Sequence, residues 1–192
     1  MDSKLVHNDM LNAFEAEIAT LGAKVIEYRI KYCDHLTKNA SAIYGELSSL
    51  REELVVQYMP SCSPEDLAEK LYSSRKTDIF SGITSIGPHR DDLDFKINSI
   101  SARNFGSQGQ QRSVALSLKL AEAKTLKDIT GEQPVAILDD VMSELDPDRQ
   151  AFILNHIKDW QVFITCCDPS TLLRSKKGKA FEVKEGKISE MG

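Results

Sequence analysis

Residues 135–146 read VAILDDVMSELD: an apolar run from Val135 to Leu138 that ends in two consecutive carboxylates, Asp139 and Asp140. Preceded by Pro134 and closed by acids, the run predicts a strand buried on both faces, the kind found inside a parallel sheet. The carboxyl ends of such strands are where open α/β sheets bind ligands. Adjacent carboxylates repel, so the pair is costly unless a cation or a reacting water requires it. Taken alone, an Asp-Asp pair is also common in surface strand-to-helix turns. The sequence upstream shifts the balance.

That upstream segment is Asn104-Phe-Gly-Ser-Gln-Gly-Gln-Gln-Arg112, followed by Ser113-Val-Ala-Leu-Ser-Leu-Lys-Leu-Ala-Glu-Ala123. Strong helix formers begin after the glycines, so the loop delivers backbone N–H groups at a helix N-terminus. Gly106 and Gly109 allow close backbone approach, Ser107 offers a hydroxyl, and the positive end of the helix dipole favours an anion such as phosphate. An isolated G-S-x-G is more often a serine-capped turn. Its spacing to the two aspartates is what singles it out.

Together the segments resemble an ABC-type ATPase head, with a signature loop at Ser107-Gln-Gly-Gln-Gln111, a Walker B strand at 135–140 and a D-loop at Ser143-Glu-Leu-Asp146. Gly87-Pro-His-Arg-Asp-Asp92, LKLAEA and Phe163-Ile-Thr-Cys-Cys-Asp168 extend the likeness to the RecF family, bacterial DNA gap-repair and recombination ATPases related to SMC-type heads. The blocks stand in the family's order and are densest from 87 to 168. The resemblance implies an α/β fold: the C-terminal part of an ABC-type (P-loop NTPase) head with a helical, coiled-coil-like subdomain. The helical subdomain would occupy 1–77 and the head part 78–192.

A P-loop requires G-x-x-x-x-G-K-[ST], and none of the ten glycines provides it; Gly178-Lys179 is followed by alanine and lacks the earlier glycine. RecF-like proteins carry that motif in an N-terminal lobe, so the chain resembles a C-terminal portion and holds half of each required site. In that family ATP lies between two heads. The resemblance implies that Asp139 helps hold Mg²⁺ and that Asp140 polarises the attacking water. Ser107, Gly109 and Gln110 would contact the γ-phosphate of ATP on a second subunit, and Ser143 and Asp146 would line the dimer seam. Aspartate stands at 140 where many ABC ATPases have glutamate, and Cys167 stands where transporters commonly place a switch histidine, a thiol being the poorer donor to phosphate. Thr165 or Asp168 are candidates to substitute for it. The pattern suits slow hydrolysis that times an ATP-dependent homodimer on DNA, at gaps or single-strand/double-strand junctions, with RecR/RecO-type mediators as partners. The chain alone is not expected to hydrolyse ATP. Two other classes compete: a transporter ATPase subunit, disfavoured by the helical first third and by Cys167, and a noncatalytic dimerisation module.

Composition adds limits. The net charge of −5 argues against coating nucleic acid by bulk charge, although Arg174, Lys176, Lys177 and Lys179 form a local basic cluster. No apolar stretch approaches a membrane span and no leader pattern opens the sequence, so a cytoplasmic protein without membrane contact is expected. Cys33, Cys62, Cys166 and Cys167 lack C-x-x-C or paired Cys/His spacing, which predicts reduced thiols and neither zinc nor disulfides. The four histidines are dispersed.

Leu11, Phe14, Ile18, Leu21, Val25, Tyr28 and Tyr32 recur at spacings of three and four, predicting a long helix whose apolar stripe packs into a core. A turn near Lys38-Asn39 would lead to a second helix at Ala40–Leu50 that covers the stripe. Further on, the pattern predicts a strand over Glu53–Met59, a helix opened by Ser63-Pro64 and running to about Ser74, and a hairpin turning at Asn98-Ser99. A helix from Asp146-Pro147 to Ile157, a buried strand over Gln161–Cys166 and a terminal hairpin around Glu185-Gly186 complete the expectation. In Gly87-Pro-His-Arg90 the favoured role is a rigid turn in which Asp91 or Asp92 satisfies backbone amides; Arg90 is a candidate contact for DNA, phosphate or an interdomain carboxylate.

Overall fold

Forty-five residues, Ser3–Leu47, form one uninterrupted helix, α1, about 67 Å long at the α-helical rise. The computed structural model describes residues 3–167 and 178–191. No turn breaks α1 at Lys38-Asn39, and the expected second helix is simply its continuation. Asparagine favours turns by bonding its own nearby backbone. Here the Asn39 amide is drawn away instead, donating to Thr125 Oγ1 at 2.9 Å and to Asp128 Oδ2 at 3.1 Å, both on α4 (Gln108–Thr130).

The apolar stripe does not form the core. Phe14, Ile18, Leu21, Val25 and Tyr28 are 40 to 71% exposed. In its N-terminal half α1 buries its small-residue side instead: Ile26 packs with Leu67 and Leu71 of α2 (Leu67–Ser81), and Ala19 and Ala23 join that cluster. Small residues let two helix backbones approach closely, and Gly22 marks the tightest point, since a Cβ there would lie 2.8 Å from Leu67 Cδ2 and 3.3 Å from Pro88 Cδ. The Arg75 guanidinium closes the far end of this helix pair on the Glu15 carboxylate, with Nε to Oε1 at 2.6 Å.

Helix α2 starts at Leu67, later than Ser63-Pro64 suggests. Ser63 Oγ accepts the Asp66 amide at 3.2 Å and stabilises a turn that precedes the helix. It ends at Ser81 because Gly82 takes the left-handed conformation (φ 69°), its N–H donating to Asp78 O.

Three antiparallel strands, β1 (Leu54–Met59), β2 (Asp92–Ile97) and β3 (Ile100–Ser101), pair in the order β1-β2-β3. Thr37 Oγ1 donates to Val56 O and Ser41 Oγ to Leu54 O, seating β1 against the C-terminal half of α1. The expected turn at Asn98-Ser99 forms, both residues having positive φ. A one-turn helix, α3 (Ala102–Phe105), then leads into α4.

The chain divides into two compact units, Met1–Glu132 and Gln133–Gly192. Residue 77, where the sequence pattern changes, lies inside α2, and the strands β1 to β3 belong to the same unit as α1. In the second unit β4 (Ala136–Asp139) and β5 (Val162–Thr165) pair in parallel, Ala136 opposite Val162 and Asp139 opposite Thr165. These strands are not buried on both faces as the run 135–138 predicts: Ile137 is 72% and Phe163 57% exposed. Exposure alternates along both strands, so one face of the pair lacks cover. Helix α5 (Pro147–His156) supplies buried Ile153, and β6 (Ala180–Lys184) with β7 (Lys187–Met191) make the expected terminal hairpin. No described helix is long and apolar enough to cross a membrane.

Gly22 yields a test in which two effects oppose. Alanine in a helix interior is favoured over glycine by about 1 kcal/mol, whereas forcing a methyl into a packed seam costs about 1 to 3 kcal/mol. Leu67 is fully buried and Pro88 is ring-locked, so overpacking wins. Gly22→Ala is expected to lower stability in urea unfolding, and a stabilised variant would show that the seam has slack.

Candidate functional site

The glycine-containing loop is built by its own side chains. Ser107 is the N-cap of α4: its Oγ accepts the Gln110 amide at 3.2 Å, and Gln110 Oε1 accepts the Ser107 amide at 2.9 Å. This reciprocal pair satisfies two donors that a helix start otherwise leaves without partners. Gln111 Nε2 donates to the carbonyls of Ala102, Arg103 and Gly106 at 3.2 to 3.3 Å, stapling the loop to α3. Gly106 is needed because a Cβ there would lie 2.4 Å from Ala102 O. Gly109 lies in the first turn and its carbonyl accepts Ser113 Oγ at 2.9 Å. The cap itself, Ser107 with Gln108, faces solvent, so the helix N-terminus is open to an anion.

Gln110 has a further partner that the sequence does not reveal. Its Nε2 donates to Glu52 Oε1 at 2.7 Å, while Glu52 Oε2 accepts the buried Tyr44 hydroxyl at 2.6 Å. Glu52 sits in the charge run Arg51-Glu52-Glu53, which in sequence looks like a solvated turn.

Asp139 and Asp140 close β4 in the second unit. Asp140 holds a left-handed conformation, φ 52°, which aspartate tolerates better than most residues. Its N–H is shared between Thr165 O at 3.2 Å and Thr165 Oγ1 at 3.1 Å, and the same hydroxyl donates to Asp139 Oδ1 at 2.5 Å. Thr165 therefore fixes both acids across the parallel pair. The hydroxyl of Thr165, a candidate for the switch position, bonds both aspartates. Cys167 follows β5 and is exposed and unbridged, and Asp168 lies outside the described residues.

Among the described residues no three His, Cys, Asp or Glu side chains converge on one point. Two exposed carboxylates at a strand end nevertheless suit Mg²⁺, which keeps waters and takes phosphate oxygens with only one or two protein carboxylates.

Ser143 lies in a 3-10 helix, Val141–Glu144. Asp146 caps α5, accepting the Arg149 amide at 3.0 Å and pairing with the Arg149 guanidinium. The amide bond pulls its carboxyl below the ordinary range. Of the basic cluster, Lys179 pairs with Glu190 at 3.0 Å, and Arg174, Lys176 and Lys177 lie outside the described residues.

The Gly87-to-Asp92 block is a structural joint. Gly87 has φ 132°, and Pro88–Arg90 form a 3-10 turn. Asp91, its side chain only 2% exposed, takes the Arg29 guanidinium at 2.9 Å, the Ser61 amide at 2.9 Å and the Tyr58 hydroxyl. Burial, then the bond to Asp91, pushes the Tyr58 phenol up to about 12. Asp92 pairs with both terminal nitrogens of Arg103 at 2.8 and 3.0 Å, which holds its carboxyl down at about 2. Arg90 Nε donates to Thr84 O at 3.0 Å.

No protein-family model matches the chain. The DNA replication and repair protein RecF of Clostridium acetobutylicum is 39% identical over 196 residues, covering 98% of this chain and 54% of that protein. RecF of Clostridium kluyveri is 40% identical over 190 residues, covering 95% and 52%. A solved recombination mediator protein RecF of the RecFOR pathway, in its RecF-ATPrS form, superposes with a TM-score of 0.83 at 34% identity, over 96% of this chain and 51% of that one. A chain from structural work on ATP-driven dimerization of SMC ATPases shares the fold at a TM-score of 0.51 and 14% identity, over 88% of this chain and 89% of that one.

Fold and motifs thus define part of an ABC-type ATPase head of the kind shared by RecF and SMC proteins. The chain is similar to the C-terminal portion of RecF proteins and spans about half the length of the curated relatives it matches.

The Asp91 joint is testable apart from any nucleotide. Asn at 91 keeps the shape but removes the charge from a buried acceptor of three donors. Asp91→Asn is therefore expected to cost about 2 to 4 kcal/mol, read as a lower urea midpoint. A change under about 0.5 kcal/mol, the scale of ordinary surface substitutions, would show that the joint is dispensable.

Proposed function

We propose that this chain is the signature-loop and Walker B portion of a RecF-type DNA-repair ATPase, which binds ATP with Mg²⁺ between two heads and dimerises on DNA. What carries this reading is the likeness to RecF across 98% of the chain at 39% identity. It disfavours a transporter subunit. The bare face of β4 and β5, with Ile137 and Phe163 exposed, supports a head whose sheet is completed by a P-loop lobe, because parallel sheets are normally covered on both faces.

In this reading Asp139, its carboxylate oriented by Thr165, would help hold Mg²⁺, which would supply neutralisation of phosphate charge. Asp140, set by its left-handed backbone and the Thr165 acceptors, orients the attacking water and takes its proton. Ser107 and Gly109 present the start of α4 to the γ-phosphate on a partner head. Gln110 is committed to the cap and to Glu52, so its part is to hold the loop. Ser143 and Asp146 line the seam between heads, and Arg90 remains available to DNA or phosphate at the surface. Binding at DNA gaps or junctions, RecR/RecO-type partners and a cytoplasmic setting follow from the same family reading.

Two variants test it in a protein that carries both this chain and the P-loop lobe. Asp140→Asn is expected to slow ATP hydrolysis about ten-fold or more, as loss of a positioned proton acceptor does. Unchanged turnover removes Asp140 from the mechanism. Ser107→Arg puts a bulky side chain where the partner's phosphate would dock, so ATP-induced dimerisation should be lost in sedimentation. If Ser107 only caps the helix, the same variant costs about 0.5 to 2 kcal/mol of stability, and dimerisation falls only as far as unfolding does.

A further inference from the structure

We propose that Glu52 is a positioning residue for the signature loop, its carboxylate holding the Gln110 amide so that the Ser107 cap is presented in one fixed geometry. The proposal rests on the trans role of that loop argued above, and adds a residue from outside every motif.

Three observations converge on it. The Glu52 carboxylate is divided between two donors, the Tyr44 hydroxyl at 2.6 Å on Oε2 and Gln110 Nε2 at 2.7 Å on Oε1. Tyr44 is 1% exposed, so one of the two donors is anchored in the core. The backbone that delivers Glu52 is unusual: Ser49 and Leu50 have consecutive positive φ, 55° and 59°, and Leu50 is a branched residue left 85% exposed. Non-glycine residues in this region cost energy and persist only where the surroundings impose them. Here the reversal is clamped by Leu50 N to Gly45 O at 2.7 Å, Ser48 Oγ to Glu52 O at 3.2 Å and Glu53 N to Asn98 Oδ1 at 2.9 Å. Its result is to fold Glu52 back against the end of α1.

The third observation is the chemistry of residue 110. A capping box accepts Glu or Gln equally, since either supplies the oxygen that takes the cap amide. Only Gln also supplies an N–H₂ group, and a carboxylate stands opposite that group. With Oε1 on Ser107 N–H and Nε2 on Glu52, the amide has a single workable orientation, and the rotamer that closes the cap is fixed from outside the loop.

The experiment exchanges the two groups in the protein that carries the P-loop lobe, reading ATP-dependent dimerisation by sedimentation and folding by thermal unfolding. Gln110→Glu keeps the box oxygen but opposes two carboxylates, and should weaken dimerisation about ten-fold or more, within the range of coupling between contacting groups. Adding Glu52→Gln restores an amide facing a carboxylate, and the double variant should recover to within about three-fold of the parent. A direct contact of residue 110 with phosphate does not predict that recovery, because the negative charge remains in the loop. Parent-like dimerisation in Gln110→Glu, or no recovery in the double variant, overturns the proposal, as does a loss that merely follows thermal unfolding. Ser107→Arg serves as the control: if it still dimerises with ATP, the trans role of the loop fails, whereas loss there without coupling between 52 and 110 overturns only the role of Glu52.

Discussion

One buried carboxylate, Asp91, sets the frame of the first unit. It gathers Arg29 from α1, Tyr58 from β1 and the Ser61 amide at the point where the chain enters β2. The ion pair avoids the full desolvation cost of a buried charge because the Arg29 side chain stays 44% exposed. With the entry to β2 fixed, register carries the constraint onward: Leu54 to Met59 pair with Ile97 to Asp92, β3 folds back on β2, and α3 delivers the loop at Gly106. The block whose sequence reads as a rigid turn is thus also the joint that orients the loop after α3.

Much of this was legible because it depends on local rules. Ser107, Asp146-Pro147, Asn98-Ser99 and Glu185-Gly186 each mark an end or a turn through chemistry carried within a few residues, and the strand at 136–139 follows from its own apolar run. What was not legible depends on partners distant in sequence. Asn39 reads as a turn former until Thr125 and Asp128 take its amide. The stripe from Phe14 to Tyr28 reads as core because periodicity reports an apolar face, not what covers it. Glu52 gave no signal and Thr165 none for its place beside the aspartates, since a glutamate in a charge run and a threonine in a strand take on those contacts only when Gln110 or Asp139 is brought to them.

Gly22, Ala19 and Ala23 explain why the stripe lost. A helix can seat α2 closely on its small-residue side, where Leu67 and Leu71 interlock with Ile26, and the larger residues on the other side would hold the backbones apart. Size as well as hydrophobicity therefore decides which face of α1 is buried, and a count of apolar positions weights the wrong property.

The two candidate sites share one design. At the head of α4 the cap amides are satisfied by Ser107 and Gln110, and at the end of β4 the Asp140 amide is satisfied by Thr165. In both, a hydroxyl accepts a backbone N–H. The second hydroxyl also donates, to the Asp139 carboxylate, which aligns one acid while fixing the turn that carries the other. Such groups are set before any ligand arrives, so little ordering is left for binding to supply. The left-handed backbone at Asp140 is the local cost of that arrangement. A strand continuing through Asp140 would turn successive side chains to opposite faces of the sheet. The break in backbone conformation frees the two neighbouring acids from that alternation and lets one threonine serve both.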